Sequence, residues 1–212
     1  MKRLLLTRSR HDIGNEYLFH YSEEIAAKAI DGGWQVDDVK SEKATKAAVQ
    51  KRLGTLAYEF AIFNGHGSDS SICGHNNETL VDQSSASLLS NKVCFSRSCC
   101  SAKHLGDIAV SKGSKAFIGY SREFIVPRVN SCASRPLQDP AARPVLESSN
   151  AIPISLLHGK TAKEAVDSSQ AHAEKLILKL LPSEEPYDGA ALRALINNQS
   201  CIRICGDEAA RA

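Results

Sequence analysis

The segment KVCFSRSCCSA, residues 92–102, is the main basis for the fold and the site that we predict for this chain. Residues 92–95 form a short apolar run that is typical of a buried strand. The run leads directly into a turn of small residues, which carries the adjacent thiols of Cys99 and Cys100. A thiol in such a turn lies beyond the strand end, so it is more accessible than a cysteine inside the core.

A second apolar run, residues 60–63, ends on the sequence NGHG, residues 64–67. Parallel strands that are neighbours end at the same edge of a sheet, where open α/β folds place their sites. We therefore expect His66 to lie close to one of the two thiols. An imidazole in that position is the base that a thiol needs to become a nucleophile.

The rest of the chain alternates apolar runs with segments of helical periodicity, which predicts a mostly parallel sheet covered on both faces. The fold class that we predict is a three-layer α/β (αβα) sandwich, formed by residues 1–212 as a single domain. Strands are predicted at residues 3–7, 34–39, 58–63, 92–96, 116–120 and 202–204.

Two segments of the predicted domain depart from this alternation. Five of the seven prolines fall between residues 127 and 153, so we predict a long Pro-rich loop over residues 127–150. It contains Arg128, Arg135 and Arg143, and we expect it to border a substrate cleft and to be a place where the chain is cut on activation. Residues 183–212 are predicted to form a C-terminal extension.

Composition excludes several classes of function. The net charge is only +2 and the chain has one Trp, which argues against a nucleic-acid partner. The apolar run at residues 4–6 is far too short for a signal peptide core or a membrane span, so no membrane partner is expected. Seven cysteines are an odd number without the spacing of a disulfide framework, which favours a reducing, cytoplasmic location.

The pairing of strand-Gly-His-Gly with strand-small-Cys-x-Ser-Ala resembles the caspase–gingipain clan of cysteine peptidases, most closely its bacterial CHAT and gingipain-like branch. Residues 105–120 resemble the segment that follows the nucleophile in that clan. Residues 157–165, LHGKTAKEA, resemble a later helix opening of the same proteins. The resemblance extends up to the last predicted helix, and it implies a caspase–haemoglobinase fold.

The resemblance also implies peptide-bond hydrolysis without a cofactor, with a polypeptide as the substrate. Cys99 would attack the carbonyl, His66 would act as general acid and base, and the amides of Gly67 and Cys99 would bind the oxyanion. Some members of the clan use the second of two adjacent cysteines, so Cys100 is the alternative nucleophile. Regulation by a protein partner is implied by analogy with the clan.

By analogy with the gingipain specificity pocket, Asp12 is predicted to bind the substrate residue that precedes the cut, the P1 residue. An acidic pocket would select Arg or Lys, whereas Arg8 and Arg10 nearby would select an acidic residue. We expect a basic P1 residue. The alternative is that Asp12 only caps the first helix.

Two alternatives to a peptidase remain open. One is a catalytically silent caspase-like domain that binds a partner as a scaffold. The other is a zinc-binding α/β protein, with ligands drawn from Cys73, His75, Cys99, Cys100 and His104. The spacing of these residues does not match a standard zinc motif, and we predict no metal.

Overall fold

The predicted parallel sheet is the centre of the molecule, in a computed structural model that describes residues 1–212. The strands are β1 (Arg3–Arg8), β2 (Gln35–Lys40), β3 (Phe60–Asn64), β4 (Ser71–Cys73), β5 (Thr79–Asp82), β6 (Val93–Arg97), β7 (Ala116–Tyr120) and β8 (Ile202–Gly206). The α-helices are α1 (Ile13–Asp31), α2 (Lys46–Thr55), α3 (Leu105–Ser111), α4 (Ala142–Leu157), α5 (Ala162–Leu180) and α6 (Asp188–Cys201). Short 3₁₀ turns lie at Ser41–Lys43, His75–Asn77, Ala86–Leu89, Asn130–Cys132 and Pro136–Gln138.

Six strands form the main sheet in the order β2-β1-β3-β6-β7-β8. All neighbouring pairs are parallel except β7 and β8, which run antiparallel. Strands β3, β6 and β7 are buried along their whole length, because helices cover both faces of the sheet. This explains their continuous apolar sequences, and the predicted α/β sandwich is confirmed.

The hydrophobic core is divided by the sheet into two large clusters. One cluster includes Leu4, Ile62 and Phe95, which point to the side of helices α1, α4 and α5. The other includes Leu5, Phe63 and Cys94, which point to the side of α2 and α3. Alternate residues of each central strand thus serve opposite faces, as the two-residue period of a strand requires.

The prediction of a Pro-rich loop over residues 127–150 was wrong for its last nine residues. The segment between β7 and α4 ends at Ala141, and residues 142–150 are helical. Asp139 explains the early start of the helix, because its carboxylate accepts hydrogen bonds from the amides of Ala141 and Ala142. Pro144 lies in the first turn, where a missing amide costs little, and Pro153 is accommodated inside α4.

Two further differences concern the connections of the sheet. The chain between β3 and β6 contains the antiparallel hairpin of β4 and β5, in a region where no strand was predicted. Helix α2 is capped by Thr45, and Ser41 begins a short 3₁₀ turn ahead of it. The C-terminal residues 183–212 contain α6 and β8, and β8 extends the main sheet at its edge.

None of the helices combines the length and the apolarity that a bilayer crossing would need.

Candidate active site

The register of the central strands brings the two predicted catalytic side chains to one edge of the sheet. Asn64, the last residue of β3, pairs with Arg97, the last residue of β6. His66 and Cys99 each follow two residues after those strand ends. Both side chains border the same open cavity of about 630 Å³. The cavity is lined by Asp12, Ile13, Gly14, Asn15, Leu18, His66, Cys99, Phe124, Val126 and Arg128.

The imidazole of His66 is held by a carboxylate. Its Nε2 atom lies 2.7 Å from Oδ2 of Asp12, and half of the side chain is exposed. A carboxylate can only accept, so Nε2 carries the hydrogen in the neutral imidazole and Nδ1 is left with a free lone pair. The Nδ1 atom is therefore the nitrogen that can take a proton from a thiol.

Asp12 has two structural tasks at the start of α1. Its Oδ1 accepts a hydrogen bond from the amide of Asn15, and its Oδ2 accepts one from the Asn15 side chain in addition to the His66 contact. Burial acts to raise the pKa of Asp12, but these hydrogen bonds outweigh it and lower the pKa to about 2. Because the folded pKa lies below the ordinary value of 3.8, the stabilisation is complete above about pH 4 and is lost as the pH falls toward 2. The link to His66 thus persists at neutral pH.

The thiol of Cys99 is half-buried and does not hydrogen bond to His66. Its Sγ atom lies 4.0 Å from the carbonyl oxygen of Phe124. Burial raises the pKa of Cys99, and the nearby Glu123 adds to the rise, while a hydrogen bond to the Phe124 backbone opposes it. The raised pKa favours the protonated thiol, and Cys99 makes no hydrogen bond to His66 that would stabilise a thiolate.

This protonated thiol gives a prediction for alkylation. We expect iodoacetamide to modify Cys99 more slowly than free cysteine at pH 7, with a rate that rises about tenfold per pH unit up to pH 9 because only the thiolate reacts. Mass spectrometry of Cys99-containing peptides over a series of pH values measures this rate. A fast reaction that does not change between pH 6 and 8 would contradict the prediction, because that is the behaviour of a stable ion pair.

Cys100 occupies a different environment from Cys99, although the two are adjacent. Its backbone has a positive φ of 58°, which turns the chain sharply after Cys99. Its side chain does not border the cavity. Burial and the carboxylate of Asp69 raise the pKa of Cys100. Of the two thiols, only that of Cys99 lies in the same cavity as His66.

The two amides predicted for the oxyanion are both free to donate. Neither the amide of Gly67 nor that of Cys99 donates a hydrogen bond to a backbone carbonyl. Gly67 also packs closely on the loop that carries the thiol. A Cβ atom at this position would lie 2.7 Å from Cβ of Ser98 and 2.9 Å from the carbonyl oxygen of Cys99. The close approach requires glycine at this position, and it places Gly67 directly against the turn that carries the thiol.

Replacing Gly67 by alanine should therefore damage activity more than stability. The added methyl group must push the Ser98–Cys99 backbone away, at a cost of about 1–3 kcal/mol for overpacking. We expect kcat/KM for peptide hydrolysis to fall about 100-fold, the size of losing one oxyanion donor. Gly54→Ala is the matched control, because a Cβ there would meet only Leu88 at 3.7 Å. Unchanged kcat/KM in Gly67→Ala would show that this close contact has no part in the site.

Two residues that support the site, Arg97 and Asp139, were not predicted from the sequence, whereas Arg128 lies on the loop that we expected to border a substrate cleft. Arg97 is fully buried, its Nη2 atom donates to Oδ1 of Asn150 at 2.6 Å, and burial lowers its pKa to about 10. It ties the end of β6, two residues before Cys99, to helix α4. Asp139 accepts hydrogen bonds from the hydroxyl of Tyr17 and the amide of Val129, which fixes the loop after β7 against α1. Arg128, on that loop, brings a second charged side chain to the cavity.

An arginine directly after an apolar strand was the only sequence signal for Arg97, and it is common in proteins without a function at that place. Asp139 gave no signal, because the chain around it was predicted as a loop.

The side chains considered for a zinc site do not come together. In the structure, His75 and Cys73 lie on the hairpin that follows β3, and Cys99 and His104 lie on the turn before α3. The described chain contains one group of three or more side chains close enough to hold a metal ion, and it consists of His11, Asp12 and His66. None of these three residues was among the ligands we considered.

The fold is similar to that of known cysteine proteinases. The crystal structure of the Arg-specific cysteine proteinase gingipain R matches with a TM-score of 0.64 and 13% identity, over 99% of this chain and 47% of that chain. The complex of the pro- and mature domains of Porphyromonas gingivalis RgpB matches with a TM-score of 0.61 and 12% identity, over 100% and 48%. A structure described as a protease matches with a TM-score of 0.56 and 14% identity, over 99% and 48%.

These likenesses concern the fold, and the chain spans about half the length of the structures it matches. No protein-family model matches the sequence, and no curated protein does. The resemblance to the caspase–gingipain clan is thus supported at the level of the fold. The placement in the CHAT branch and in bacteria stays a prediction.

Proposed function

We propose that this gingipain-like domain is a cysteine endopeptidase, with Cys99 as the nucleophile and His66 as the general acid and base. The observation that carries the proposal is the shared cavity. The thiol and the imidazole border it together, at the ends of adjacent parallel strands, and Asp12 orients the imidazole. A nucleophile, a base and a group that orients the base are the three parts that covalent catalysis requires.

The reaction follows from the state of each group. As Sγ of Cys99 bonds to the carbonyl carbon of the substrate, its proton passes to Nδ1 of His66, and negative charge develops on the carbonyl oxygen. The amides of Gly67 and Cys99 stabilise that oxygen. The C–N bond then breaks, and His66 gives the proton to the leaving amine. A water molecule, deprotonated by His66, hydrolyses the thioester and restores the thiol.

Asp12 is proposed to act mainly through His66. Its carboxylate is already engaged by Asn15 and by the imidazole, and it fixes the ring with Nδ1 free. The interaction would also stabilise the imidazolium that forms during the reaction, as the acidic member of a catalytic triad does.

We also propose that the peptidase prefers Arg or Lys at P1. This preference depends on Asp12, the acidic residue of the cavity. Arg128 borders the same cavity, and a cation there would favour an acidic P1 residue. The walls between the two charges are apolar, from Ile13, Leu18 and Val126. The P1 preference is therefore set by the balance of one carboxylate and one guanidinium.

Asp12→Asn separates the two roles of Asp12. If the carboxylate positions His66, kcat falls by a similar factor for every peptide in a library that varies P1. If it binds the P1 side chain, only peptides with Arg or Lys are affected, and KM rises for them. Arg128→Gln is the matched control, because it removes the other charge of the cavity while leaving His66 and its partner in place.

The remaining parts of the proposal concern regulation and location. One of the matching structures is a complex of pro- and mature domains, which supports a regulatory protein partner for this fold.

All seven cysteines are free thiols, in keeping with action in a reducing, cytoplasmic location. Cutting of the loop between β7 and α4 would be a means of activation. A silent scaffold domain is the alternative, and the absence of hydrolysis for every library peptide would favour it.

A further inference from the structure

A cluster of metal-binding side chains surrounds the proposed catalytic histidine. It consists of His11, Asp12 and His66, whose possible ligand atoms all lie within 4.8 Å of one another. Oδ2 of Asp12 lies 2.7 Å from Nε2 of His66 and 3.2 Å from Nε2 of His11. Two imidazoles thus converge on one carboxylate at the mouth of the cavity.

We propose that this cluster binds a zinc ion, with His11, Asp12 and His66 as ligands, and that the bound ion holds His66 away from catalysis. The first part concerns the site alone, and the second part rests on the proposed function. Zinc would act as a reversible inhibitor, because one of its ligands is the general acid and base.

The donor set suits zinc. Two imidazole nitrogens and a carboxylate oxygen are the protein ligands of many zinc sites, with bonds of about 2.0–2.2 Å. In a tetrahedral site, bonds of that length place the ligand atoms about 3.3 Å apart. The 3.2 Å separation already fits, and the hydrogen-bonded pair at 2.7 Å must open by about 0.6 Å. Three protein ligands leave the fourth position to water.

The environment of His11 shows how a cation could replace the shared hydrogen at its Nε2 atom. The side chain is only 9% exposed, and its Nδ1 atom is buried without a hydrogen-bond partner. Its Nε2 atom faces two acceptors, Oδ2 of Asp12 at 3.2 Å and Oδ1 of Asn77 at 3.3 Å. A neutral imidazole has one hydrogen for these two oxygens. A cation bound between Nε2 and the carboxylate would satisfy both of those atoms.

A metal bound to His66 would prevent this residue from acting as the general base. Nε2 of His66 would become a ligand, and the one hydrogen of the neutral ring would move from Nε2 to Nδ1. An imidazole bound to zinc through Nε2 and protonated at Nδ1 has no lone pair to accept the proton of Cys99. Occupation of the site and peptide hydrolysis are therefore mutually exclusive.

The binding part is tested by calorimetric titration of zinc chloride into the Cys99→Ala protein, in which the cavity thiol cannot compete as a ligand. We expect one zinc ion per chain. His11→Gln and His66→Gln should each weaken binding about tenfold or more, since even residues outside the first ligand shell cost that much. His104→Gln is the matched control, because His104 is an exposed histidine outside the cluster, and it should leave the affinity unchanged.

The site assignment would be overturned by any of three results. These are no saturable binding, equal binding in the parent, His11→Gln and His66→Gln proteins, or binding that is lost in Cys100→Ser but kept in the two histidine variants. The last result would place zinc on the neighbouring thiol. His66 is half exposed, so its variant should fold even if the change at buried His11 disturbs the structure.

The inhibition part is tested on the peptidase with an intact Cys99. Zinc should reduce kcat/KM, a chelator should restore it, and His11→Gln should raise the half-inhibitory zinc concentration about tenfold or more relative to its own metal-free rate. Hydrolysis that continues at saturating zinc would overturn this part. If no peptide is hydrolysed at all, the calorimetric result still decides the binding site, so the proposed function and the zinc site can fail separately.

Discussion

Replacing Cys99 with alanine is expected to reduce kcat/KM for peptide hydrolysis by at least about 1,000-fold, because covalent catalysis loses its nucleophile. Cys100→Ala should keep activity within about threefold of the parent protein. The two thiols are adjacent in sequence, but only Cys99 borders the cavity that contains His66. The comparison therefore tests position in space and not merely the presence of a thiol.

The two variants are well matched in size and chemistry. Each removes one sulfur atom and leaves the backbone unchanged, and alanine tolerates the positive φ at position 100 about as well as cysteine does. Thermal unfolding of both proteins controls for misfolding. Loss of activity in Cys100→Ala with retention in Cys99→Ala would reverse the assignment of the nucleophile.

Replacing His66 with glutamine should lower kcat/KM by about 100- to 10,000-fold, the usual contribution of general acid–base catalysis. The amide keeps part of the volume and can still donate to Asp12, but it cannot take up the proton of Cys99. Half of the His66 side chain is exposed, so we expect the free energy of unfolding to change by no more than about 0.5 kcal/mol.

His104→Gln is the control for this prediction, because His104 lies beyond the same turn as Cys99 and is exposed, and it does not border the cavity. Steady-state kinetics with a fluorogenic peptide measures both variants. Activity of His66→Gln above one tenth of the parent value would mean that another group moves the proton, and the imidazole would then have only a structural role.

The central sheet could be predicted from the sequence because its strands are buried on both faces. Residues 60–63 are all apolar, and so are residues 116–118. Each run predicts a buried strand without reference to the rest of the chain. The capping box at Thr161 and Glu164 was equally readable, and the structure contains both of its hydrogen bonds. Local sequence patterns were enough to predict an element where the pattern is compatible with only one kind of secondary structure.

Helix α4 and the β4–β5 hairpin could not be predicted in the same way. Prolines at 144 and 153 indicated a loop, but the carboxylate of Asp139 accepts hydrogen bonds from the amides of Ala141 and Ala142, two and three residues further on, and the helix begins there. The hairpin strands are only three and four residues long, and Gly67 joins them through an isolated bridge with Ile72. Such short strands depend on long-range packing that no local pattern records.

The site itself was predicted in part. Strand ends and glycines pointed to the region of His66 and Cys99, but the position of Asp12 beside the imidazole follows from the packing of α1 against β3, across 54 residues of sequence. The same packing brings His11 into the cluster. Asp12, which we predicted to bind the P1 residue, contacts the imidazole instead, and His11, which the sequence did not single out, lies beside it.

The most direct test of the central claim is covalent labelling of the reduced protein with peptidyl acyloxymethyl ketones, one with Lys and one with Asp at P1, followed by mass spectrometric mapping of the adduct. We expect one adduct per chain on Cys99, formed at least about 100-fold more slowly in His66→Gln, because the imidazole must take up the thiol proton. A label found on Cys100, or on Cys99 at the same rate with and without the imidazole, would contradict this expectation.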